Sequence, residues 1–267
     1  MYKPLAFLAR DLRLELSYRF SFFLQIFGIF TSVFMFYFLA QLLGPTASPF
    51  LTEYGGNYFA FVLIGIAFSG YFGVGLNSFA ASIRQAQTTG TLEAMLMTPT
   101  SVSIVVLSSA LWDYMVVTFH VLVYLAVGGL FLGVDLSHSN LLAALVTLTL
   151  TVVSFSSIGI IAASFIMVLK RGDPVTWVFN SVSSLLGGVY YPVAILPGWL
   201  QFVAAFLPVT YALRAMRLSL LQGASITQLL PDLLVLIAFS AILLPLGLVV
   251  FRWAVYRAKI DGSLTYY

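Results

Sequence analysis

Long runs without a single charged side chain decide what this chain can become. Phe20 to Leu43 carries none. The run between Glu53 and Arg84 carries none, nor does Leu141 to Leu169. At about 1.5 Å of rise per residue, each run as a helix crosses a hydrocarbon core about 30 Å thick. The chain therefore reads as an all-α membrane protein. Composition agrees: 61% of its 267 residues are hydrophobic and 8% are charged, where a soluble domain carries about 25% charged residues. The mean hydropathy is +1.04. Removing the spans leaves nothing that resembles a soluble domain, so residues 1–267 form one membrane domain.

The apolar runs divide into six spans: roughly Phe20–Leu43, Asn57–Ile83, Val102–Gly133, Leu141–Leu169, a fifth from near Val175, and Leu233–Phe251. The first is longer than the apolar region of a cleaved signal, about 7–15 residues, and is read as a retained span. Lys and Arg set the orientation. Lys3, Arg10, Arg13 and Arg19 precede the first span, and Arg84 follows the second. Lys170 and Arg171 follow the fourth; Arg252, Arg257 and Lys259 follow the last. Ten of the twelve basic residues thus share one side, which the charge rule makes cytoplasmic. The loops Gly44–Gly56 and Val134–Asn140 hold no Lys or Arg and face outside. Both termini are then cytoplasmic, in a multi-pass protein of the inner (plasma) membrane.

One segment strains this layout. No charge appears between Asp173 and Arg214, a run too long for one span and barely enough for two. Gly187-Gly188, Pro192, Pro197-Gly198 and Pro208 break it. A full extra crossing would put the basic C-terminus outside. The expectation is instead a re-entrant helical hairpin within residues 193–222. A short helix near Gly198–Leu207 dips in from outside and a second from about Val209 returns. Broken helices survive at membrane depth only when buried in protein or lining a cavity. Arg214 and Arg217 would then sit outside near the end of the returning helix, where its dipole favours a cation.

Several chemistries are excluded. There is no cysteine, so disulfides, thiolate catalysis and cysteine metal sites are absent. Two histidines do not make a histidine-rich metal centre, and no metal site is expected. The net charge of +3 is spread along the chain, as topology requires, and points to no nucleic-acid partner. No Gly-x-x-x-x-Gly-Lys-Ser/Thr phosphate loop occurs, so the chain has no nucleotide site of its own and is not an enzyme.

Three stretches carry a family resemblance. The first is Gly90-Thr91-Leu92-Glu93-Ala94-Met95-Leu96-Met97-Thr98-Pro99, after the second span. The second is Gly187-Gly188-Val189-Tyr190-Tyr191-Pro192, running on through Leu196-Pro197-Gly198-Trp199-Leu200. The third is Leu207-Pro208-Val209-Thr210-Tyr211-Ala212-Leu213-Arg214. With the six-span layout, the chain resembles the permease subunit of ABC exporters of the ABC-2 type. The resemblance implies a second permease copy, most simply a homodimer, and two copies of a separate cytoplasmic ATPase. ATP and Mg would bind on that ATPase, with no cofactor in this chain. The run Arg10 to Arg19 looks more like the drug-export branch than the polysaccharide branch.

The candidate functional residues follow. Leu5, Leu8, Leu12 and Leu16 fall on one helical face, with Arg10, Asp11 and Arg13 on the rest. Residues 1–19 are thus a candidate interfacial helix against membrane lipid. Residues 84–100 resemble the family's coupling helix. Thr91 can cap it, Glu93 lies in its first turn, and Leu92, Met95 and Leu96 form an apolar tip suited to a groove on the ATPase. A short loop helix resting on the membrane would look the same. Gly65, Ser69, Gly73 and Asn77 recur every four residues, a stripe that permits close helix approach, either within the subunit or at a dimer or pathway interface. Asp113 and His120 share a face of the third span. Intramembrane ionisable residues suggest structural pairing, substrate contact or a proton relay. Tyr190, Tyr191, Trp199, Phe202 and Phe206 cluster at the re-entrant break, as an outer-interface belt or as the translocation path and its gate.

The leading reading is therefore an ATP-driven exporter permease for a hydrophobic or amphipathic compound, drug or lipid-like. A lipid-linked polysaccharide is the alternative substrate. A secondary transporter using Asp113 and His120, or an intramembrane enzyme, is the competing class. The former should show repeat symmetry between its halves, and the latter a nucleophile; neither is evident. The topology is testable because the chain lacks cysteine. Cysteines at Thr46 and Ser137 should react with an impermeant maleimide added outside intact cells, and one at Thr88 should not. The reverse pattern overturns the orientation.

Overall fold

The computed structural model describes residues 12–13, 19–88, 102–169 and 174–260. The expected interfacial helix and the tip of the expected coupling helix, with Thr91, Leu92, Glu93, Met95 and Leu96, lie outside the described residues. Among the described residues eight α-helices follow one another: α1 (Arg19–Ala47), α2 (Tyr58–Thr88), α3 (Val102–Phe131), α4 (Leu141–Leu169), α5 (Pro174–Leu186), α6 (Gly198–Ala204), α7 (Pro208–Leu221) and α8 (Leu230–Ile260). Short 3-10 helices occupy Ser48–Tyr54 and Val193–Ile195, and no strand occurs among the described residues. Five helices, α1 to α4 and α8, are long and apolar enough to cross a membrane.

The helix ends follow from local chemistry. The Asn57 side chain accepts the N–H of Ala60 at 3.1 Å and Asn140 that of Ala143 at 3.1 Å, capping α2 and α4. Pro208 sits in the first turn of α7, where a missing N–H costs nothing. α3 and α7 end in the same way. Gly133 and Gly223 take positive φ (74° and 63°). The next N–H then bonds back, Val134 to Gly128 at 3.0 Å and Ala224 to Leu218 at 3.0 Å.

The fifth span differs from expectation. α5 has 13 residues, about 20 Å of helix, too short to cross alone. Gly187 and Gly188 stop it. A Cβ on Gly187 would collide with the Val209 side chain, and Gly188 has φ +79°. Beyond them the chain runs without helix to Val193–Ile195. α6 and α7 then meet at 87°.

α2 is the central helix. Of its most apolar window 72% is buried, against 11% for α1 and 17% for α8. Small residues bring its neighbours close. A Cβ on Gly159 of α4 would land on the Gly75 carbonyl of α2. Ser154 of α4 meets Ser240 of α8 at 2.9 Å and the Leu236 carbonyl at 3.3 Å. Between helices in lipid, such packing and polar contacts replace the hydrophobic drive available in water.

The ends of the bundle can be assigned from contacts. The Tyr58 hydroxyl, at the start of α2, donates to the Tyr190 carbonyl at 3.3 Å. The Asn140 N–H, just before α4, donates to the Ser219 carbonyl at 2.8 Å. Residues 190–219 therefore begin and finish at the same end of the bundle. The start of α8 joins them, since Arg214 contacts both Glu53 at 2.8 Å and Asp232 at 3.7 Å. The start of α1 and the finish of α8 lie at the opposite end, together.

Arg214 and Arg217 do not sit as a charge pair at a helix end. Arg214 is half-exposed in that ion network. Arg217 is only 2% exposed. Its Nε donates to the Phe61 carbonyl and its Nη2 to the Val189 carbonyl, each at 3.0 Å. Its guanidinium lies over the Phe61 ring, 3.4 Å from the centroid. Gly65 makes the space: a Cβ there would collide with the Val189 carbonyl and come within 2.6 Å of Nη2. Gly73, two turns on, has nothing within 4 Å of the same virtual atom. The small-residue stripe thus splits into a packed outer half and an open inner half. Gly65→Ala should destabilise the purified protein by about 1–3 kcal/mol, the usual cost of overpacking. Gly73→Ala should leave the thermal unfolding midpoint unchanged or raise it, because Ala is the better helix former. Equal midpoints for the two variants would refute the notch.

Candidate functional site at the outer break

Between α5 and α7 the backbone leaves helical geometry, and its carbonyls lose their usual partners. Side chains replace them one by one. Tyr191 donates to the Leu185 carbonyl. Arg217 takes Val189, and Tyr58 takes Tyr190. The Gln201 amide donates to Ala194 at 3.1 Å and to Leu196 at 2.8 Å. Thr210 donates to Ala204 at 2.9 Å and Tyr211 to Ala205 at 3.0 Å. An unpaired carbonyl in hydrocarbon costs several kcal/mol. The break is thus equipped with donors from α2, α6 and α7.

The two arms of the bent pair are unlike. α7 is core: Val209, Ala212, Leu213, Met216 and Leu220 are buried against α2 and α4 residues such as Phe72 and Phe155. α6 buries only Ala204. Trp199 and Phe202 are 69% and 68% exposed, and Phe202 meets Phe206 edge-on at 5.1 Å. The five aromatics of the expected gate therefore separate. Trp199 and Phe202 face outward from α6, and Phe206 does so from the turn that follows it. Tyr190 stacks on Phe36 of α1 at 5.6 Å. Tyr191 holds the end of α5.

Beside this break the outer ends of α1, α2 and α3 enclose an open cavity of about 610 Å³, lined in part by Tyr37, Gln41, Ser48, Asn57, Tyr58 and Leu132. On its far side, burial pushes the Tyr54 phenol up, and the neighbouring Glu53 carboxylate adds to the shift. Tyr54 therefore stays neutral, its ring 5.9 Å from the Arg217 guanidinium. In the next outer loop, hydrogen bonds from Ser137 hold the Asp135 carboxyl below the usual range.

Asp113 and His120 both stand on α3, outside the break itself. Seven residues of helix separate them by about 10 Å, too far for a direct bond. Asp113 accepts a short hydrogen bond from Ser78 of α2. It stands about three turns into α3, which is apolar from Val102, and the bond clasps α2 and α3 together within the span. His120 lies a few turns deeper, beside Phe119. No group of three or more metal-ligating side chains occurs among the described residues.

Sequence reasoning missed Arg217, Gln201 and the Glu53–Arg214–Asp232 network. A signal existed for the last. Arg214 and Arg217 are the only basic residues on the outer side, and Glu53, Asp135 and Asp232 are the acidic ones there. Pairing by side would have suggested the contact. Nothing in spacing marks Gln201 as the donor to two carbonyls.

Comparison with known proteins agrees with this architecture. Residues 5–221 match the family described as ABC-2 type transporter. Among curated proteins, the chain is similar to the linearmycin resistance permease protein LnrN of Bacillus subtilis (strain 168), with 26% identity over 141 residues. That match covers 51% of this chain and 37% of the relative, so the chain aligns with little more than a third of that protein. With the match extending over most of its length and five long apolar helices in place, the chain is a multi-pass membrane protein that belongs to the ABC-2 type transporter family of permeases.

Proposed function

We propose that this chain is the membrane subunit of an ATP-driven exporter, pairing with a second permease copy and with two cytoplasmic ATPase subunits that bind ATP and Mg. The substrate class is a hydrophobic or amphipathic compound, in keeping with the resistance permease among its relatives. The membrane is the inner (plasma) membrane, with both termini cytoplasmic.

The observation that carries this reading is the pair of helices flanking the 84–100 loop. α2 continues from Ser82, where its apolar window ends, to Thr88. α3 begins at Val102 and is apolar from its first turn. α2 carries its polar last turn, Arg84 to Thr88, about 6 Å past its apolar run, toward the loop. The Ser78–Asp113 bond ties the two helices together. Two long helices fastened to each other on either side of the loop support a loop that receives force from a soluble partner. Leu92, Met95 and Leu96 are its apolar contact, with Thr91 and Glu93 starting the short helix.

The inner half of the α2 stripe supports the second copy. Asn77 is exposed beside the open Gly73 and bonds back to the Gly73 carbonyl at 2.8 Å. A polar side chain at this depth faces a partner helix or a wet path more favourably than lipid. At the outer end, residues 193–222 act as a re-entrant segment. α7 is fixed in the bundle, and α6, with Trp199, Phe202 and the Phe206 that follows it, is the arm free to border the exit path.

Replacing Leu92 and Leu96 together by Asp tests the coupling contact. A charge pressed into an apolar groove costs several kcal/mol, so the ATPase subunit should no longer co-purify, while the permease still inserts and folds. Undiminished recruitment and transport would remove the 84–100 loop from the coupling role.

A further inference from the structure

We propose that the cavity at the outer ends of α1, α2 and α3 binds the uncharged, polyhydroxylated head of an amphiphile whose apolar tail lies along the adjoining faces of α1 and α3. This deepens the export reading by naming the chemistry of its ligand, and it rests on that reading only for the direction of transport.

The volume comes first. About 610 Å³ lies within the range of sites that hold drug-sized groups, roughly 300–1,000 Å³. The lining comes second. Gln41, Ser48 and Asn57 supply amides and a hydroxyl, Tyr37 and Tyr58 supply ring faces, and none of the described lining residues is Asp, Glu, Lys or Arg. Asn57 uses its Oδ1 on the Ala60 N–H, which turns its NH2 to other acceptors. Aromatic faces with neutral donors and acceptors fit a sugar or polyol. They offer no counter-charge to a phosphate, carboxylate or ammonium. The backbone is shaped to keep the space open. Gly56, at φ +72°, bounds the cavity, and a Cβ there would come within 3.2 Å of the Ser48 hydroxyl.

Depth comes third. The lining residues sit at the outer limits of the spans Arg19–Leu43, Tyr58–Ser82 and Ala110–Phe131, which is headgroup level. A tail has a path from there. Phe38, whose ring meets Tyr37 edge-on at 5.8 Å, is 66% exposed. Phe131, next to Leu132, is 77% exposed. The cavity also touches the break, because its wall residue Tyr58 holds the Tyr190 carbonyl. A bound head therefore sits against the contact that fixes the segment leading to α6.

The test is photolabelling of the full chain in native membrane vesicles. One probe is a dodecyl maltoside with a diazirine beside the sugar. The control is a dodecyl phosphocholine carrying the same diazirine. The maltoside probe should label peptides spanning residues 37–41 and 55–59 saturably, with competition by unlabelled dodecyl maltoside and none by dodecyl phosphocholine. Gln41→Leu should weaken that labelling roughly three- to tenfold, as for one lost hydrogen bond. Ser48→Leu, which fills the cavity, should abolish it, and both variants should keep the wild-type unfolding midpoint. Competition by a diglucosyl diacylglycerol in the bilayer identifies a lipid as the natural source. Competition only by glycosides added from water identifies an exported compound. Equal labelling by both probes, labelling indifferent to Ser48→Leu, or no saturable labelling overturns the site. ATP-driven transport measured in the same vesicles separates the two ideas. Transport without saturable labelling sinks the site alone. Saturable labelling without transport leaves the site and sinks the export reading.

Discussion

Irregular backbone packed among apolar side chains persists only if its carbonyls find donors, and this requirement shapes the outer half of the protein. Away from water, each orphan carbonyl costs several kcal/mol. The break between α5 and α7 meets the demand with long side chains that reach in from elsewhere. Arg217 is the most consequential. It joins three elements at once, since it stands on α7 and binds the α2 carbonyl of Phe61 and the Val189 carbonyl of the break. A buried guanidinium without partners would be prohibitive. Here two carbonyls and the Phe61 ring face surround it. The arrangement in turn requires a residue without a Cβ at position 65, so a small-residue stripe and a buried arginine are two halves of one feature.

That feature decides what can move. α7 is locked to α2 through Arg217 and to the first outer loop through Arg214 and Glu53. Among the described residues α6 shows no comparable ion pair or arginine tie. It packs against α5 and is held by the Gln201 bonds to its own approach and the Thr210 and Tyr211 bonds from α7. A bent pair that looks symmetric in sequence is therefore asymmetric in energy. One arm is part of the core and the other is held by a few hydrogen bonds, with its aromatic face turned outward.

The sequence made the long spans and the shared side of the two termini legible, because these depend on composition and on the placement of charge. It also marked the break, since Gly187-Gly188 and the prolines admit no continuous helix. It did not reveal that α5 stops at Leu186. An apolar run reads the same whether its backbone is helical or extended. It placed Arg217 near a surface because an arginine is normally solvated, and only the tertiary notch at Gly65 reverses that expectation. Asp113 differs: its place in an apolar run suggested structural pairing, substrate contact or a proton relay, and the Ser78 bond supplies a pairing between α2 and α3. The gate residues scattered for a related reason. Proximity in sequence put five aromatics together, and the turn at Pro192–Pro197 sends Tyr190 and Tyr191 one way and Trp199, Phe202 and Phe206 another.

α2 connects what the two ends of the bundle do. It is a single helix of 31 residues, about 45 Å long, and buried along most of its membrane length. Its outer end caps the cavity through Asn57 and Tyr58 and holds the break through Tyr58, Phe61 and the Gly65 notch. Its inner end is tied to α3 by Ser78 and runs into the 84–100 loop. A helix packed this closely does not bend to absorb a displacement. Motion imposed on the loop by a partner must therefore either rotate α2 as a rod or be stopped at its packing against α4. The Gly75–Gly159 contact makes the second costly to break, since the backbones meet there with Phe79, Tyr114 and Phe155 packed around them. On this geometry the break and the 84–100 loop sit at opposite ends of one long helix, and α6, whose aromatic face is exposed, lies at the end away from the loop.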